Sequence, residues 1–450
     1  MPRNTENSLS NILIAAASSG SGKTTFTMGL LRALKKRGMK VQPFKCGPDY
    51  IDTKWHTLAA GTESVNLDMW MSDKQHVKEL FSKYGHGYDV CVTEGAMGMF
   101  DGYDRWHGSS ADIAQDIGAR VVLVVNAKST AYSVAPMIYG FKNFNSGIDI
   151  AGVVFNQVAS ENHFNFLKEA CQDAGVECFG YLSKDKSIEL PSRHLGLTID
   201  ERFRIDSFIE KVALMIEATV DVGRIIDACR TNAVHVSPPQ KSVSPTFPFF
   251  PTLKPSHISI ACDEAFNFTY RANIDFFKEL ADEVSFFSPI RDSSLPPNTD
   301  LLYLPGGYPE FFLAELVSNE QMIRSVKEYI ESGGHTFAEC GGMLYLCRMI
   351  TDMDGCVFRM ADVLNMDATF RNMKLHLGYR RLEMKENDLP CIDSKEMYGH
   401  EFHYSDIENI STDVVCTESQ YTAKGKKTDT KLFRYKNLIA GYTHFYWGNL

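Results

Sequence analysis

The hydrophobic positions of this 450-residue chain fall into short apolar runs that alternate with stretches of helical spacing. In the first half, this alternation of strand-like and helical patterns occupies residues 12–16, 26–36, 40–44, 90–93, 121–125 and 152–156. It begins again in the second half, at residues 258–261, 273–279, 301–304, 322–330 and 336–338. Short apolar runs separated by helical patterns predict a parallel sheet with helices on both faces. The chain is therefore predicted to contain two α/β domains.

Between the two halves, residues 236–256 are rich in proline. They contain six prolines in twenty-one positions, which cannot sustain a helix or an interior strand. This composition predicts an extended linker. The predicted domains are therefore residues 1–235 and 257–450, joined by the linker 236–256.

Composition and charge narrow the class of protein. The hydrophobic fraction of 44% and the charged fraction of 23% are ordinary for a globular protein. A formal net charge of −10 argues against a nucleic-acid surface. Eleven cysteines without a C-x-x-C pair favour free thiols in a reducing compartment. No apolar signal core or run of eighteen uncharged apolar residues occurs, so we expect a cytoplasmic protein with no membrane partner.

Residues 17–25 read ASSGSGKTT, between a predicted strand and a predicted helix. This context is typical of a phosphate-binding loop, whose backbone N–H groups and helix end attract anions. Lys23 would contact the β- and γ-phosphates, and Thr24 would bind magnesium. The pattern departs from G-x-x-x-x-G-K-[ST] only in Ala17. The predicted nucleotide-binding residues of this loop are Gly20, Ser21, Gly22, Lys23, Thr24 and Thr25.

Several carboxylates follow predicted strands of the first domain. Glu94 ends the apolar run 90–93, where a second acidic magnesium ligand is expected. Asp49 and Asp52 lie three residues apart after another strand, and Asp101 lies in a later loop. Open α/β sheets bind ligands at the carboxyl ends of their strands. Loop carboxylates also commonly face water, and for the three aspartates spacing alone leaves both interpretations open.

Residues 335–344 read HTFAECGGML, an apolar run that ends at Cys340 and continues into a helical pattern through two glycines. Such a sequence predicts a sharp strand-to-helix turn that holds a thiol beside backbone N–H groups. Cys340 is therefore a candidate nucleophile, with Gly341 among the candidate oxyanion donors. A phosphate loop in one domain and a nucleophile in the other suggest two coupled chemistries.

Seven sequence blocks carry a resemblance to a known family. They are residues 43–56 (PFKCGPDYIDTKWH), 94–102 (EGAMGMFDG), 190–197 (LPSRHLGL), 263–268 (DEAFNF), 306–310 (GGYPE), 339–342 (ECGG) and 399–405 (GHEFHYS). In these blocks the chain resembles the cobyrinic acid a,c-diamide synthases. The first domain is similar to dethiobiotin synthetase, and the second resembles class I glutamine amidotransferases.

The resemblance implies ATP- and glutamine-dependent amidation of two peripheral carboxylates on a corrinoid ring. ATP would phosphorylate each carboxylate, and ammonia from glutamine would displace the phosphate. The implied roles are magnesium binding, acyl-phosphate catalysis, substrate binding and base recognition. Magnesium binding is implied for Thr24, Asp52 and Glu94, and acyl-phosphate catalysis for Asp101. Substrate binding is implied for Asp49, Tyr50 and Ile51. Base recognition is implied for Asn156, although asparagine at a strand end is also a common turn residue.

In the second domain, the resemblance implies that His444 is the catalytic base for Cys340. Many amidotransferases carry a glutamate two residues after this histidine, whereas this chain has Tyr446. We therefore expect a Cys–His pair without a third acid. Gly306 and Gly307, just after the strand 301–304, fit the loop whose backbone donors face the tetrahedral oxygen.

Some alternatives stay open from sequence. A nickel sirohydrochlorin a,c-diamide synthase would use the same parts, and cobyric acid synthase has related domains. A partition-type ATPase switch would explain the first domain, but it would not need the Cys340 turn. Residues 400–403 (HEFH) are not expected to bind zinc, because strand alternation would place the two histidines on opposite faces. The sequence does not decide whether the protein is a homodimer.

Overall fold

The computed structural model describes residues 8–185, 188, 199–232, 245–383, 396–412, 414–416 and 419–450. These residues form two compact units, the first ending at residue 232 and the second beginning at residue 245. The sequence block 190–197 and the part 236–244 of the predicted linker lie outside the described residues.

The first unit is built around a parallel sheet. Its strands, within the described residues, are β1 (Ser8–Ala16), β2 (Val41–Cys46), β3 (Val65–Leu67), β4 (Val90–Glu94), β5 (Arg120–Asn126), β6 (Ile150–Val158), β7 (Cys178–Ser183) and β8 (Arg230–Asn232). Seven strands follow the order β3-β2-β4-β1-β5-β6-β7, and β8 pairs antiparallel with the start of β1. The central strands are buried on both faces, which explains their continuous apolar runs.

The helices of the first unit connect these strands. They are α1 (Lys23–Lys36), α2 (Ile51–Ala60), α3 (Lys74–Gly85), α4 (Ser110–Asp116), α5 (Val134–Phe144), α6 (Glu161–Asp173), α7 (Ile199–Thr219) and α8 (Val222–Ala228). Side-chain caps fix several starts: Asp73 accepts from the His76 N–H, and Ser160 accepts from the His163 N–H. α1 instead begins after Gly22, whose φ of 98° is accessible to glycine at little cost.

The second unit contains a parallel sheet and smaller antiparallel sheets. Its strands, in the described ranges, are β9 (His257–Ala261), β10 (Glu283–Phe287), β11 (Leu301–Leu304), β12 (His335–Glu339), β13 (Cys347–Thr351), β14 (Val357–Arg359), β15 (Leu364–Thr369), β16 (His376–Glu383), β17 (Glu396–His403), β18 (Asp406–Glu408), β19 (Val415–Cys416), β20 (Ser419–Tyr421), β21 (Leu432–Tyr435), β22 (Leu438–Gly441) and β23 (Thr443–Phe445). Its helices are α9 (Arg271–Leu280), α10 (Leu313–Ser318), α11 (Glu320–Glu331) and α12 (Gly341–Leu346), with a 3-10 turn at Pro309–Phe311.

The largest sheet of this unit has the order β10-β9-β11-β12-β22-β21-β19, and β9 to β12 and β22 run parallel. Two further sheets have the orders β14-β13-β15-β18 and β20-β16-β17-β23. Their strands are short or half-polar. The apolar-run pattern in the sequence did not predict them.

The described end of the proline-rich segment packs on the second unit. Phe247 and Phe249 are buried in a core cluster with Phe337 and Trp447. Their aromatic rings lie 4.8–5.6 Å from Phe337, which belongs to β12. This part of the predicted linker therefore contributes side chains to the core of the second unit, because burial removes their apolar surface from water.

The predicted fold class is confirmed: each unit is an α/β structure around a parallel sheet. The predicted strands and helices correspond to described elements, with starts or ends that differ by a few residues. No helix in the described ranges has the length and apolar content needed to cross a membrane.

Candidate active sites

The phosphate loop lies between β1 and α1, as the sequence predicted. Gly20 and Gly22 adopt positive φ angles of 76° and 98°. The Ser21 hydroxyl donates to the Ser18 carbonyl at 2.9 Å. Lys23 Nζ donates to the carbonyl oxygens of Ser18 and Met97, so the ammonium lies across the concave side of the loop. This arrangement places a cation where a bound phosphate would need one.

A buried polar cluster lies beside the loop, at the ends of β2 and β4. The Thr24 hydroxyl donates to Glu94 Oε1 at 2.7 Å and lies 3.4 Å from Asp52 Oδ2. Lys45 Nζ donates to Asp52 Oδ2 at 2.7 Å and to Glu94 Oε1 at 2.9 Å. His56 Nε2 lies 2.6 Å from Glu94 Oε2. Thr24, Asp52 and Glu94, the three predicted magnesium ligands, are therefore brought together.

The charges in this cluster depend on one another. Burial acts to raise the pKa of Glu94, but Lys45 and His56 outweigh it and hold the pKa well below its usual range. Burial also acts against a charged Lys45, yet Asp52 and Glu94 raise its pKa. Burial and the nearby Asp49 raise the pKa of Asp52 to about 6. Two carboxylates and one internal ammonium thus form a compact charged group.

The residues can be tested for their fit to magnesium. Mg²⁺ prefers oxygen ligands, which Thr24, Asp52 and Glu94 supply. Asp52 Oδ1 is buried and has no hydrogen-bond partner among the described residues. An unsatisfied buried carboxylate oxygen beside the phosphate loop fits a cation ligand. The three side chains therefore fit the ion that the resemblance implies.

The predicted substrate-binding residues lie at the start of α2. Asp49 Oδ1 accepts hydrogen bonds from the backbone N–H groups of Ile51 and Asp52, at 2.9 and 2.8 Å. Asp49 therefore caps the helix start, a role that its sequence position did not reveal. Tyr50 is buried and Ile51 is half-buried. Their contact with a substrate stays a prediction.

Asp101 lies in the loop that follows β4. Its carboxylate is exposed and accepts from the Gly98 N–H at 2.9 Å. The adjacent Met99 N–H donates to the Ala16 carbonyl at 2.8 Å, at the end of β1. A Cβ at Gly98 would lie 2.7 Å from the Ala17 carbonyl, so the two loops pack closely. This position beside the phosphate loop is compatible with the predicted catalytic role, which stays a prediction.

Asn156 contacts the phosphate loop itself. Its Nδ2 donates to the Ser21 carbonyl at 3.0 Å, and its Oδ1 accepts from the Gln157 N–H at 2.9 Å. A Cβ at Gly22 would lie 2.0 Å from Nδ2, so a glycine is required there. Asn156 therefore holds the loop from β6. Its predicted recognition of a nucleotide base stays a prediction.

In the second unit, Cys340 lies at the turn between β12 and α12. Its backbone has φ 45° and ψ −107°, which is strained for a residue with a side chain. A Cβ at Gly342 would lie 2.1 Å from the Leu304 carbonyl, which explains why glycine follows. Cys340 Sγ donates to the Phe402 carbonyl at 3.7 Å. Burial, followed by the nearby Glu310, raises the pKa of the thiol.

The predicted base, His444, lies on β23 and is buried. A Cβ at Gly306 would lie 2.1 Å from its Cε1 atom, so the ring packs directly on the predicted oxyanion loop. Burial, followed by His400 and His403, lowers the pKa of His444 to about 3. The imidazole is therefore neutral at neutral pH, with one ring nitrogen unprotonated.

The three predicted oxyanion glycines lie near one another. A Cβ at Gly341 would lie 3.1 Å from the Gly307 nitrogen, which places these two backbone segments side by side. The Gly306 carbonyl accepts from the N–H groups of Asn267 and Phe268, at 2.9 and 3.0 Å. These bonds fix the loop after β11. The predicted role of the three glycines, in which their backbone N–H groups stabilise a tetrahedral intermediate, stays a prediction.

A carboxyl group that the sequence did not predict lies close to His444. Glu339 Oε2 is 4.0 Å from His444 Nδ1, beyond hydrogen-bond distance. Glu339 accepts from the Tyr303 hydroxyl at 2.6 Å and from the Phe445 N–H at 3.0 Å. This acid precedes the nucleophile in sequence, whereas the expected position follows the histidine. The sequence feature that could have indicated Glu339 was its position at the end of the apolar run that forms β12.

We expect Glu339→Gln to change the pH dependence of stability. Burial raises the pKa of Glu339 to about 8. Between its ordinary pKa of about 4.3 and about 8, the folded protein keeps a proton that the unfolded chain releases. The free energy of unfolding from this group therefore falls by about 1.4 kcal/mol per pH unit within that window.

Denaturant unfolding of the full-length wild type and the Gln variant at pH 5 and pH 8 measures the difference. The variant should gain stability relative to the wild type as the pH rises. Parallel pH profiles would contradict the buried, protonated state of Glu339.

The histidines of the HEFH segment lie on β17, as a strand assignment requires. His400 pairs in register with His444, whereas His403 stacks on Tyr442 at 3.5 Å. His376, Glu401 and His403 form a group whose ligand atoms lie within 4.8 Å of one another. Arg380 forms an ion pair with Glu401, so this carboxylate already has a cationic partner.

Sequence reasoning missed Lys45 and His56 in the first unit, and Glu339 in the second. Lys45 and His56 both fall inside the block 43–56, in which the sequence predicted roles only for residues 49–52. A lysine at the end of a fully buried strand is unusual, and that burial pattern was the available signal.

Two family models match the chain, one in each unit. Residues 12–197 match the CobQ/CobB/MinD/ParA nucleotide binding domain, and residues 257–450 match the CobB/CobQ-like glutamine amidotransferase domain. Together with the two sites, these matches define the class: a glutamine-dependent amidotransferase ligase with a nucleotide-binding domain.

Curated relatives match almost the whole chain. It is 37% identical to the cobyrinate a,c-diamide synthase of Dehalococcoides mccartyi (strain CBDB1), over 97% of this chain and 95% of that protein. It is 38% identical to the synthase of the same name from Caldanaerobacter subterraneus subsp. tengcongensis, over 96% of this chain and 94% of that protein. It is also 38% identical to the hydrogenobyrinate a,c-diamide synthase of Brucella anthropi, over 89% of this chain and 90% of that protein. The chain belongs to the cobyrinate a,c-diamide synthase family, which confirms the resemblance found in the sequence.

Proposed function

We propose that this protein amidates the a- and c-carboxylates of cobyrinic acid in cobalamin biosynthesis, with ATP and glutamine as co-substrates. The observation that carries the proposal is the presence, in one chain, of the buried Thr24–Asp52–Glu94 group beside a phosphate loop and of the Cys340 turn in a second unit. Relatives that cover nearly the whole chain bear the matching name.

In the first unit, a substrate carboxylate oxygen attacks the γ-phosphorus of ATP, and the bond to the bridging oxygen of ADP breaks. Both reactants are anionic, so their approach requires fixed positive charge. Lys23 supplies it at the phosphate loop, where its Nζ already spans two carbonyl oxygens. Lys45 keeps Asp52 and Glu94 ionised. When bound to Thr24, Asp52 and Glu94, Mg²⁺ would offset phosphate charge.

In the second unit, His444 takes the Cys340 proton, and the thiolate attacks the amide carbon of glutamine. Backbone N–H groups of Gly307 and Gly341 stabilise the oxygen that gains negative charge. The proton on His444 passes to the leaving nitrogen, ammonia departs, and water hydrolyses the thioester to glutamate. Ammonia then attacks the acyl phosphate, and phosphate leaves as the amide forms.

Cys340 and His444 are both neutral before glutamine binds, and this affects turnover. Burial raises the pKa of Cys340 and lowers that of His444, so the resting pair is thiol and imidazole. Proton transfer between them must therefore accompany glutamine binding. We infer slow glutamine hydrolysis when no corrinoid acceptor is present.

We also propose a cytoplasmic location, because the nine cysteines whose side chains are described are free thiols. A homodimer stays a prediction.

The function is tested by incubating the full-length protein with ATP, Mg²⁺, glutamine and one tetrapyrrole at a time. Cobyrinic acid, hydrogenobyrinic acid and nickel sirohydrochlorin are compared by mass spectrometry. We expect two successive exchanges of a carboxyl hydroxyl for an amino group on cobyrinic acid. Faster amidation of nickel sirohydrochlorin than of cobyrinic acid would identify nickel sirohydrochlorin as the substrate instead. ATP hydrolysis without amidation of any of the three, and without glutamine hydrolysis, would favour an ATPase switch.

A further inference from the structure

The proposed magnesium site of the first unit already contains a cation of the protein, the Lys45 ammonium. Lys45 lies near the end of β2, opposite Glu94 in the register of β2 and β4. Its Nζ donates to Asp52 Oδ2 at 2.7 Å and to Glu94 Oε1 at 2.9 Å. Nζ also lies 3.4 Å from the Gly95 carbonyl. Each of the three donors of the ammonium thus has an acceptor.

The ammonium bonds to oxygens that a magnesium ion would also need. Glu94 Oε1 accepts from the Thr24 hydroxyl at 2.7 Å as well as from Lys45. Each carboxylate oxygen has about two lone-pair sites, so both sites of Oε1 are occupied. Asp52 Oδ2, which accepts from Lys45, lies 3.4 Å from the same hydroxyl. An ion bound between Thr24 and Glu94 must therefore replace one of these contacts.

Burial favours replacement of the ammonium. The side chains of Lys45, Asp52 and Glu94 are 5%, 2% and 1% exposed. With both carboxylates ionised, these three side chains carry one net negative charge. A magnesium ion added beside Lys45 would give one net positive charge and would bring two cations to the same oxygens. Exchange of the ammonium for the ion gives no net charge, which costs less in a site removed from water.

We propose that Lys45 holds Asp52 and Glu94 in place of magnesium while no nucleotide is bound, and that it leaves both carboxylates when Mg²⁺ enters with ATP. This exchange rests on the magnesium site of the proposed function and adds a conformational step to it. Lys45 is thus a positioning residue for the two carboxylates. Free Mg²⁺ competes with an ammonium that is tethered beside the site, and such a competitor has a high effective concentration. The nucleotide-free protein should therefore bind the ion weakly.

Binding of Mn²⁺ tests the exchange directly. Mn²⁺ accepts the same oxygen ligands as Mg²⁺, and electron paramagnetic resonance measures its binding to the full-length protein without nucleotide. Lys45→Met keeps the length of the side chain but removes the ammonium, so it should bind Mn²⁺ about tenfold or more tightly than the wild type. Adding Glu94→Gln to this variant should abolish the gain. A lysine that only supports the fold would give no gain in Mn²⁺ affinity.

The matched control is Lys74→Met. Lys74 also bridges two carboxylates of the first unit, Asp112 at 2.8 Å and Asp116 at 3.2 Å, but its side chain is 56% exposed. Water already screens these charges, so this variant should bind Mn²⁺ as the wild type does. Equal or weaker Mn²⁺ binding by folded Lys45→Met than by the wild type would overturn the proposal.

A measurement on the wild type covers the case in which Lys45→Met does not fold. In crystals with Mg²⁺ and a non-hydrolysable ATP analogue, Lys45 Nζ should lie more than about 3.5 Å from Asp52 Oδ2 and Glu94 Oε1. Unchanged contacts beside a bound ion, or an ion bound away from these carboxylates, would overturn the proposal. Both measurements omit glutamine and the corrinoid, so failure to amidate cobyrinic acid would count against the proposed function alone.

Discussion

Cys340→Ala is expected to abolish glutamine-dependent amidation and to leave amidation with ammonium salts close to the wild-type rate. In the proposed mechanism, Cys340 supplies the nucleophile that releases ammonia, whereas the phosphate loop and its carboxylates lie in the other unit. Added ammonia replaces the product of the thiol chemistry and leaves the acyl-phosphate step untouched. The loss with glutamine should exceed about a thousandfold, as for the removal of other catalytic nucleophiles.

Diamide formation with each nitrogen source, on the same preparation, gives the result. The matched control is Cys262→Ala, because Cys262 is an exposed cysteine of the same unit. It should keep both activities, and alkylation of this control should still stop glutamine use. A folded Cys340→Ala protein that fails with ammonia as well would show that the two chemistries are not divided between the units.

Lys23→Ala and Glu94→Gln should each lose amidation with either nitrogen source, by about a hundredfold or more. Lys23 is the ammonium of the phosphate loop, and Glu94 accepts from Thr24, Lys45 and His56. Without Lys23, the γ-phosphate and the substrate carboxylate lose a fixed positive charge that offsets their repulsion. Without the Glu94 carboxylate, the proposed magnesium site loses one of its ligands. Residual glutamine hydrolysis should survive, since Cys340 and His444 belong to the other unit.

Nucleotide affinity, diamide yield and glutamine hydrolysis are measured on each variant. Lys36→Ala serves as the control, since its ammonium pairs with Glu210 on the surface of the same unit. It should retain full yield. Normal yield from Glu94→Gln would refute the magnesium assignment, and normal yield from Lys23→Ala would refute the use of ATP through this loop.

The parallel sheets could be predicted from sequence because their strands are buried on both faces. β4 and β5 therefore read as unbroken apolar runs, and the helices between strands show their own spacing. The sheet of β13, β14, β15 and β18 and the sheet of β16, β17, β20 and β23 gave no such signal. Several of these strands expose part of their surface, so polar and apolar residues mix along them.

The candidate sites were predictable where one segment carries the chemistry, as at the phosphate loop and the Cys340 turn. They were less predictable where distant segments meet. Lys45 joins Asp52 to Glu94 across two strands, and Glu339 approaches His444 from a different sheet. The hydrogen bonds from backbone N–H groups of α2 to the Asp49 carboxylate were likewise not evident from the sequence, and the predicted contact of Asp49 with substrate stays a prediction. The spacing of residues along the chain does not show which distant side chains meet in the folded protein.

The proposed nucleophile and its proposed base belong to different sheets. Cys340 follows β12 in the large parallel sheet, whereas His444 lies on β23 in the sheet of β16, β17 and β20. The chain passes from β22 to β23 through Tyr442, and the Cys340 N–H donates to the Gly441 carbonyl at 2.7 Å. Any force that shifts one sheet against the other therefore changes the distance between sulfur and imidazole. If Cys340 and His444 act as the proposed pair, we expect substitutions at the junction of β22 and β23 to change the rate of glutamine hydrolysis without touching either side chain.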